Sequence, residues 1–396
     1  MNIRTMKTID RYAGGFLCLL LEFCQRLRCP FQRHEKRPYR RILLMKFFGL
    51  GSILLATPML RAIKLRHPEA SIGFLTFAGN REMVERLGLA DVIYTLRTDT
   101  PAHFAGDLFG TLRGLRRDSY DVAIDMEFFS KFSTIVTYLS GSPMRIGYFL
   151  RQMWRGNLLT EQVYYNHYKH ITEVFAALAA PLDVSVTDYS LQPPVISADD
   201  RRRADALLAR EGIEAGDLLI AFNVNVSDLS YERRWSQDEF LELARGLLSE
   251  LKVRLLFIGA PSEAAHVTET VRLLGSGDRV VNLAGKTTLG ELLCVMERCR
   301  MLVTNDSGPL HLAASLGVAT ASFFGPETPM LYGPKGGDAL VFYEGLYCSP
   351  CLNVFNVKTA PCNGENVCMR RIEAGKVLER MREHFSDVWE RHGNAC

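Results

Sequence analysis

Asp306, Ser307 and Gly308 stand together between an apolar run, residues 301–304, and a segment that opens on Pro309 and carries His311. That order of residue types suits the binding of an anion. The run reads as a strand and the segment as a helix, with proline in the first turn, where a missing N–H costs nothing. The backbone N–H groups and the positive end of the helix then face the turn, and glycine lets a phosphate approach the chain. His311, one turn in, is placed to donate to a phosphate oxygen or a sugar hydroxyl. Such a diphosphate cradle needs no metal. The plainer alternative is an ordinary capped helix, since Asp and Ser are common before helices.

Four cysteines near the end of the chain form a second set: Cys348 and Cys351 in a C-x-x-C spacing, then Cys362 and Cys368. A tetrahedral metal site needs four thiolates that converge. The spacing permits that and does not require it, and free thiols in a linker are the alternative. A chain of 396 residues does not need disulfides to fold, so a reducing, cytoplasmic setting is expected for its ten cysteines.

From Arg41 onward, short aliphatic or β-branched runs alternate with amphipathic stretches, the pattern of a parallel sheet covered by helices on both faces. In the first half, strands are expected at 41–47, 71–77, 91–96, 121–125 and 144–147. A helix over 53–66 is entered through Gly49-Leu50-Gly51, and Pro193-Pro194 marks a boundary after a helix near 168–180. The second half restarts with a helix over 198–211 and strands at 218–222, 253–258, 280–283, 301–304 and 320–324. The expected class is α/β: two doubly wound Rossmann-like domains, 41–190 and 191–371, facing a cleft at the carboxyl ends of their strands. A last long helix over 372–392, within a tail of 372–396, is expected to pack back on the first domain.

The N-terminal segment, 1–40, has its own character. Residues 15–24 (GFLCLLLEFC) are apolar but too few to span a bilayer. Between Gln25 and Arg41 lie seven Arg or Lys and one acid, a charge of +6 in a chain whose formal net is +3. The remainder therefore sums to −3, which is not the balance of a nucleic-acid-binding protein. A signal peptide carries its charge before the apolar run, and here most of it follows. A short amphipathic helix on an anionic membrane surface is expected, with Arg26, Arg28, Arg33, Lys36 and Arg37 toward the headgroups. The plainer alternative is a helix packed on the protein's own surface.

Longer segments narrow the reading. The run N-D-S-G-P-L-H-L-A-A-S-L-G-V-A-T from Asn305, with F-F-G-P-E-T-P from Phe323, resembles glycosyltransferase family 9, the bacterial heptosyltransferases. So do I-L-L-M-K-F-F-G-L-G-S-I-L-L-A-T-P from Ile42, Y-D-V-A-I-D-M from Tyr120 with Arg145-Ile146-Gly147, and Arg233-Arg234-Trp235. These matches run in order over residues 41–372. The resemblance implies a GT-B fold and an inverting, metal-independent transfer of a sugar, heptose from ADP-heptose, onto a lipopolysaccharide core or similar glycan. It implies no cofactor, and a place in the cytoplasm on the inner face of the bacterial inner membrane. By that resemblance Arg233 balances the donor phosphates, with a bidentate fork where the family has lysine. Glu263 holds the nucleotide ribose, and Asp306, Ser307, Gly308, Pro309 and His311 line the donor site. Lys46, Gly49 and Gly51 form the acceptor-side loop.

One position departs from the family. An aspartate usually follows the second glycine of that loop and takes the acceptor's proton; here the residue is Ser52. Serine cannot do this at neutral pH without a partner. Glu127, where the family more often has glutamine, is the expected substitute, with Ser52 orienting acceptor or phosphate. Asp125 and Glu127 share a side if their strand continues. The plain alternative for Glu127 is a surface acid near a helix start. A chain lacking the base would bind a nucleotide sugar without transferring it, and that is the second functional reading.

Overall fold

A computed structural model describes residues 3–28, 39–128, 130–151, 153–226, 231–275, 277–353, 360, 362 and 365–393. The chain divides into two units, residues 1–194 and 195–396, immediately after Pro193-Pro194. In the first unit the apolar runs form β1 (Arg41–Met45), β2 (Ser71–Phe77), β3 (Val92–Leu96), β4 (Val122–Asp125), β5 (Met144–Phe149) and β6 (Glu161–Tyr164). In the second they form β7 (Leu218–Asn223), β8 (Val253–Phe257), β9 (Val280–Asn282), β10 (Met301–Asn305), β11 (Ala319–Phe324) and β12 (Ala339–Tyr343).

Every strand pair is parallel, and the orders are β3-β2-β1-β4-β5-β6 and β12-β11-β10-β7-β8-β9. Both are the doubly wound order in which the chain turns back across the sheet after its third strand. The carboxyl ends of β1 and β4, and of β7 and β10, therefore flank the two switch points where ligands of such sheets bind. Central strands such as β7 and β11 are buried at every residue, as helices on both faces require. Trp235 lies fully buried on the second sheet, stacked on Phe323 with ring centroids 3.9 Å apart, and its indole donates to the Ile372 carbonyl.

Helix starts follow the local chemistry. Ser197 and Asp200 form a reciprocal capping box at Ala198–Arg210, and Thr288 and Glu291 form another at Leu289–Arg298. The single helix expected over 53–66 is two, Leu50–Leu55 and Thr57–Arg66, because Pro58 starts a new first turn.

The two ends of the chain join the units beside them. The N-terminal segment folds as a helix, Ile3–Arg28, that rests on the first unit's helix Lys131–Leu139. Arg33, Lys36 and Arg37 lie outside the described residues. The last helix, expected on the first domain, instead closes the core of the second unit. It breaks at Phe385 into Ala374–His384 and Ser386–His392, and Val377, Met381, Phe385 and Val388 are buried in that core. Trp389 Nε1 donates to Glu250 Oε2 at 2.8 Å, and Lys252 N donates to the His392 carbonyl at 2.9 Å.

Candidate active site

In the second unit the strand β7 ends on Asn223 and β10 ends on Asn305, so both amides project at the switch point. Asn223 Nδ2 donates to Ser307 Oγ at 2.8 Å and to Thr304 Oγ1 at 3.0 Å. Asn305 Oδ1 accepts from Trp235 N at 2.8 Å, and its Nδ2 donates to the Asn225 carbonyl at 3.2 Å. Ser307 is extended, with φ −155° and ψ 172°, and its hydroxyl turns inward to Asn223 instead of capping the helix Gly308–Ser315. The first-turn backbone of that helix thus stays oriented toward the turn, and Pro309 stands in it as expected.

Arg233 belongs to the same cluster. Its Nη1 donates to the Asp306 carbonyl at 3.0 Å and approaches Asp306 Oδ2 at 3.3 Å. The guanidinium is mostly buried beside the turn. Glu263 ends the short turn Pro261–Glu263 after β8, and its Oε2 accepts from Ala260 N at 2.7 Å. Gly259 lets this loop meet the one after β7. A Cβ there would stand 3.0 Å from Asn225 Nδ2 and 3.3 Å from Glu263 Oε2. His311 is buried in the first turn of its helix. Asn223 and the Asn225 carbonyl thus tie Thr304, Asn305 and Ser307 together, and Arg233 joins them through Asp306.

Sequence reasoning missed those two asparagines. Their signal was available in Asn223-Val224-Asn225 at the end of an unbroken apolar strand. Asn225 Nδ2 is buried without a hydrogen-bond partner among the described residues, an expensive arrangement for an amide.

The first unit's switch point holds the loop Gly49–Gly51, expected on the acceptor side. Gly49, at φ 83°, lets the chain turn from β1 into the helix Leu50–Leu55, and Ser52 is half-buried in its first turn. Glu127 is here too, but in a different role from the expected one. Its side chain is 0% exposed and pairs with that of Lys46, 3% exposed, at 2.7 Å. The same Oε1 accepts from Phe47 N at 2.8 Å and Phe48 N at 2.9 Å, while Lys46 Nζ also donates to the Phe48 carbonyl at 2.7 Å. Oε2 is enclosed and makes no hydrogen bond among the described residues. A general base must present a lone pair to the incoming hydroxyl. This carboxylate is instead committed to holding the loop.

Asp125 does not share a face with Glu127, because β4 ends at Asp125 and the chain turns there. Its Oδ2 accepts from Ser133 Oγ at 2.9 Å, Thr134 Oγ1 at 3.1 Å and Arg155 Nη1 at 3.0 Å. Burial raises its pKa above the ordinary carboxylate value despite the Arg155 charge. Arg155 also donates to the Tyr148 carbonyl at 2.7 Å, so Asp125 anchors the loop before β6.

The four late cysteines are free thiols. Burial pushes the Cys351 thiol up to about 11 and raises that of Cys368, with small contributions from the neighbouring thiols. Among the described residues no three His, Cys, Asp or Glu side chains stand together as a metal site.

Two doubly wound sheets, each with polar loops at its switch point, make an α/β protein of two Rossmann-like halves. The family model for glycosyltransferase family 9 (heptosyltransferase) matches residues 109–359, and the chain belongs to that family of glycosyltransferases, with the GT-B fold. It is 25% identical over 324 residues to lipopolysaccharide heptosyltransferase 2 of Escherichia coli K12, covering 76% of this chain and 87% of that protein. Among solved structures, the family 9 glycosyl transferase of Veillonella parvula aligns with TM-score 0.71 and 22% identity, over 89% of this chain and 99% of that one. The ADP-heptose lps heptosyltransferase II of E. coli aligns with TM-score 0.69 and 20% identity, over 88% and 99%.

Proposed function

We propose that this glycosyltransferase moves heptose from ADP-heptose onto a lipopolysaccharide core or similar lipid-linked glycan, with inversion and without a metal. The observation that carries this reading is the second switch point. There Arg233 and the start of the helix Gly308–Ser315 offer positive charge to a diphosphate, and Glu263 lies across the β7–β8 side, where a ribose would sit. His311 and Asn225 complete the donor side. The relatives named for lipopolysaccharide heptosyltransfer support the choice of sugar and acceptor. Lys46 and Glu127 hold the loop of Gly49, Gly51 and Ser52 against which the acceptor hydroxyl is placed. The enzyme works at the inner face of the inner membrane, where an anionic surface and the lipid-linked acceptor meet it.

A panel of nucleotide sugars tests the reading through the melting temperature of the pure protein. ADP-heptose is expected to raise it most, by RT ln(1 + [L]/Kd) in free energy, and equally with or without EDTA. A larger rise with a UDP- or GDP-sugar overturns the donor assignment. A rise that EDTA abolishes and magnesium restores overturns the metal-free one. Donor binding without transfer to any lipopolysaccharide acceptor would favour the non-transferring reading.

A further inference from the structure

The helix Ile3–Arg28 is amphipathic in the reverse sense. A surface helix of a globular protein buries its apolar stripe and exposes its polar one. Here the docked stripe is Asp10, Gly14, Cys18 and Glu22, one residue per turn, the last three buried and Asp10 half-buried. The Asp10 carboxylate accepts from Lys131 N at 2.9 Å and Phe132 N at 2.6 Å, and Ser130 Oγ donates to it at 3.3 Å. Asp10 therefore supplements Ser130 in capping the helix Lys131–Leu139. Gly14 lets the two helices approach, since a Cβ would stand 3.1 Å from that of Lys131. Cys18 is buried with Ile135 and Leu158. Glu22 accepts from Asn157 Nδ2 at 2.7 Å, and Gln25 Nε2 donates to the Asn157 carbonyl at 3.2 Å.

The apolar residues point the other way. At about 100° per residue, Tyr12, Phe16, Leu19, Leu20, Phe23 and Leu27 fall within one sector of about 100°, opposite the docked stripe. Tyr12 is 69% exposed, Phe16 68%, Phe23 61% and Leu27 71%. A contiguous apolar row of this kind marks an interaction surface. Its polarity is fixed by the polar contacts underneath, so the helix cannot roll over to bury it without giving up the cap at Asp10 and the Asn157 contact at Glu22.

We infer that this helix is a rigid in-plane membrane anchor. It is built into the first unit with its apolar face turned to the acyl boundary of an anionic bilayer, so that the acceptor-side switch point is held at the lipid surface. Charge selects a bilayer over a protein partner. Arg26 flanks the row, 73% exposed in its side chain, and the sequence from Gln25 to Arg41 carries +6. Among the described residues no helix is long and apolar enough to cross a membrane, which leaves the interface as the place for this one. The link to the site is short. The helix that Asp10 caps begins four residues after Glu127, so the anchor and the loop after β4 move as one body. The inference rests on the lipid-linked acceptor proposed above only for its last step.

The test uses the full chain and the Phe16→Glu/Phe23→Glu double variant, whose changes face away from the protein. The wild type is expected to sediment with vesicles containing phosphatidylglycerol and much less with phosphatidylcholine alone. The double variant should partition at least about tenfold more weakly, from loss of two apolar side chains to the acyl region, with an unchanged melting temperature. In a Phe23→Trp protein, vesicles should blue-shift the emission, with stronger quenching by labels shallow in the acyl chain than by deep ones. Transfer to acceptor embedded in vesicles should fall in the double variant, while transfer to delipidated acceptor stays the same. Equal sedimentation of the two proteins overturns the anchor. So does a wild-type dimer that the double variant lacks, without vesicle binding, which would make the row an interface between copies. Equal loss on both acceptors overturns the coupling to the site. Vesicle binding as expected with no transfer to either acceptor supports the anchor and removes the proposed reaction instead.

Discussion

Replacing Glu127 by alanine should destabilise the first unit by about 3–5 kcal/mol, the scale for removing one partner of a buried ion pair. The figure follows from what the carboxylate holds. Lys46 Nζ would keep the Phe48 carbonyl, and the buried Phe47 and half-buried Phe48 amides would lose this acceptor. Glu127→Gln preserves an oxygen for the two amides and loses only the charge opposite Lys46, so its cost should be nearer ~1–3 kcal/mol. Lys46→Met alone strands the carboxylate and should cost about as much as Glu127→Ala. The double change Lys46→Met/Glu127→Gln removes both charges and should recover much of the loss, giving a coupling energy of at least about 1 kcal/mol. Urea titration is the assay, with hydrogen exchange at the Phe47 and Phe48 amides to separate the two units, because a chain of two units need not unfold in one step. If Glu127→Ala melts within about 0.5 kcal/mol of the wild type, or the two single costs simply add, the pair does not hold the loop.

Four further outcomes follow from the same geometry. Arg233→Ala should weaken donor binding by about 1.5–3 kcal/mol, the loss of a charge-assisted hydrogen bond; unchanged affinity in a folded protein takes Arg233 out of the site. Gly259→Ala should lower donor affinity by about tenfold with little change in melting, since the added Cβ presses Asn225 and Glu263 apart; normal affinity would mean those two side chains do not act together. Ser52→Asp places a carboxylate in the first turn of Leu50–Leu55, where the helix dipole favours it by roughly 0.3–1 kcal/mol; it should raise turnover, and a large loss would show that the acceptor loop has no room for the family's base. Glu22 is held below the usual carboxylate range, chiefly by the Asn157 amide and further by Arg26. Its contribution is therefore present above the unfolded value of about 4.3 and is lost as pH falls below it. Proteolysis within the helix Ile3–Arg28 should accelerate in acid, and the Glu22→Gln protein should lack that acceleration.

Strands with apolar, β-branched runs were legible because burial on both faces leaves no polar position. The two that escaped, β6 and β12, are the outer strands of their sheets. β12 leaves alternate residues half-buried, and β6 alternates half-buried with exposed ones, so Glu161-Gln162-Val163-Tyr164 reads as loop. The break of the last helix at Phe385 was equally hidden, because it is set by where that ring must be buried. The turn Asn305–Gly308 was legible as a contiguous motif, whereas Asn223 and Asn225 join it only through the order β7-β10. Glu127 was misread for a related cause. Its partner Lys46 is 81 residues away and is brought to it by the pairing of β1 with β4, which no local pattern records. The N-terminal helix was read correctly as amphipathic, but which face would dock depends on the amides at the start of Lys131–Leu139.

The closing helix has a consequence for how such enzymes diversify. Because Ala374–His384 and Ser386–His392 complete the second unit's own core, each half is one uninterrupted stretch of chain. A single crossover in the gene, next to the codons for Pro193 and Pro194, would therefore exchange the entire second half for another without splitting either hydrophobic interior. Were the tail instead a part of the first core, two simultaneous exchanges would be needed. New pairings of activated sugar with acceptor are thus one recombination event apart.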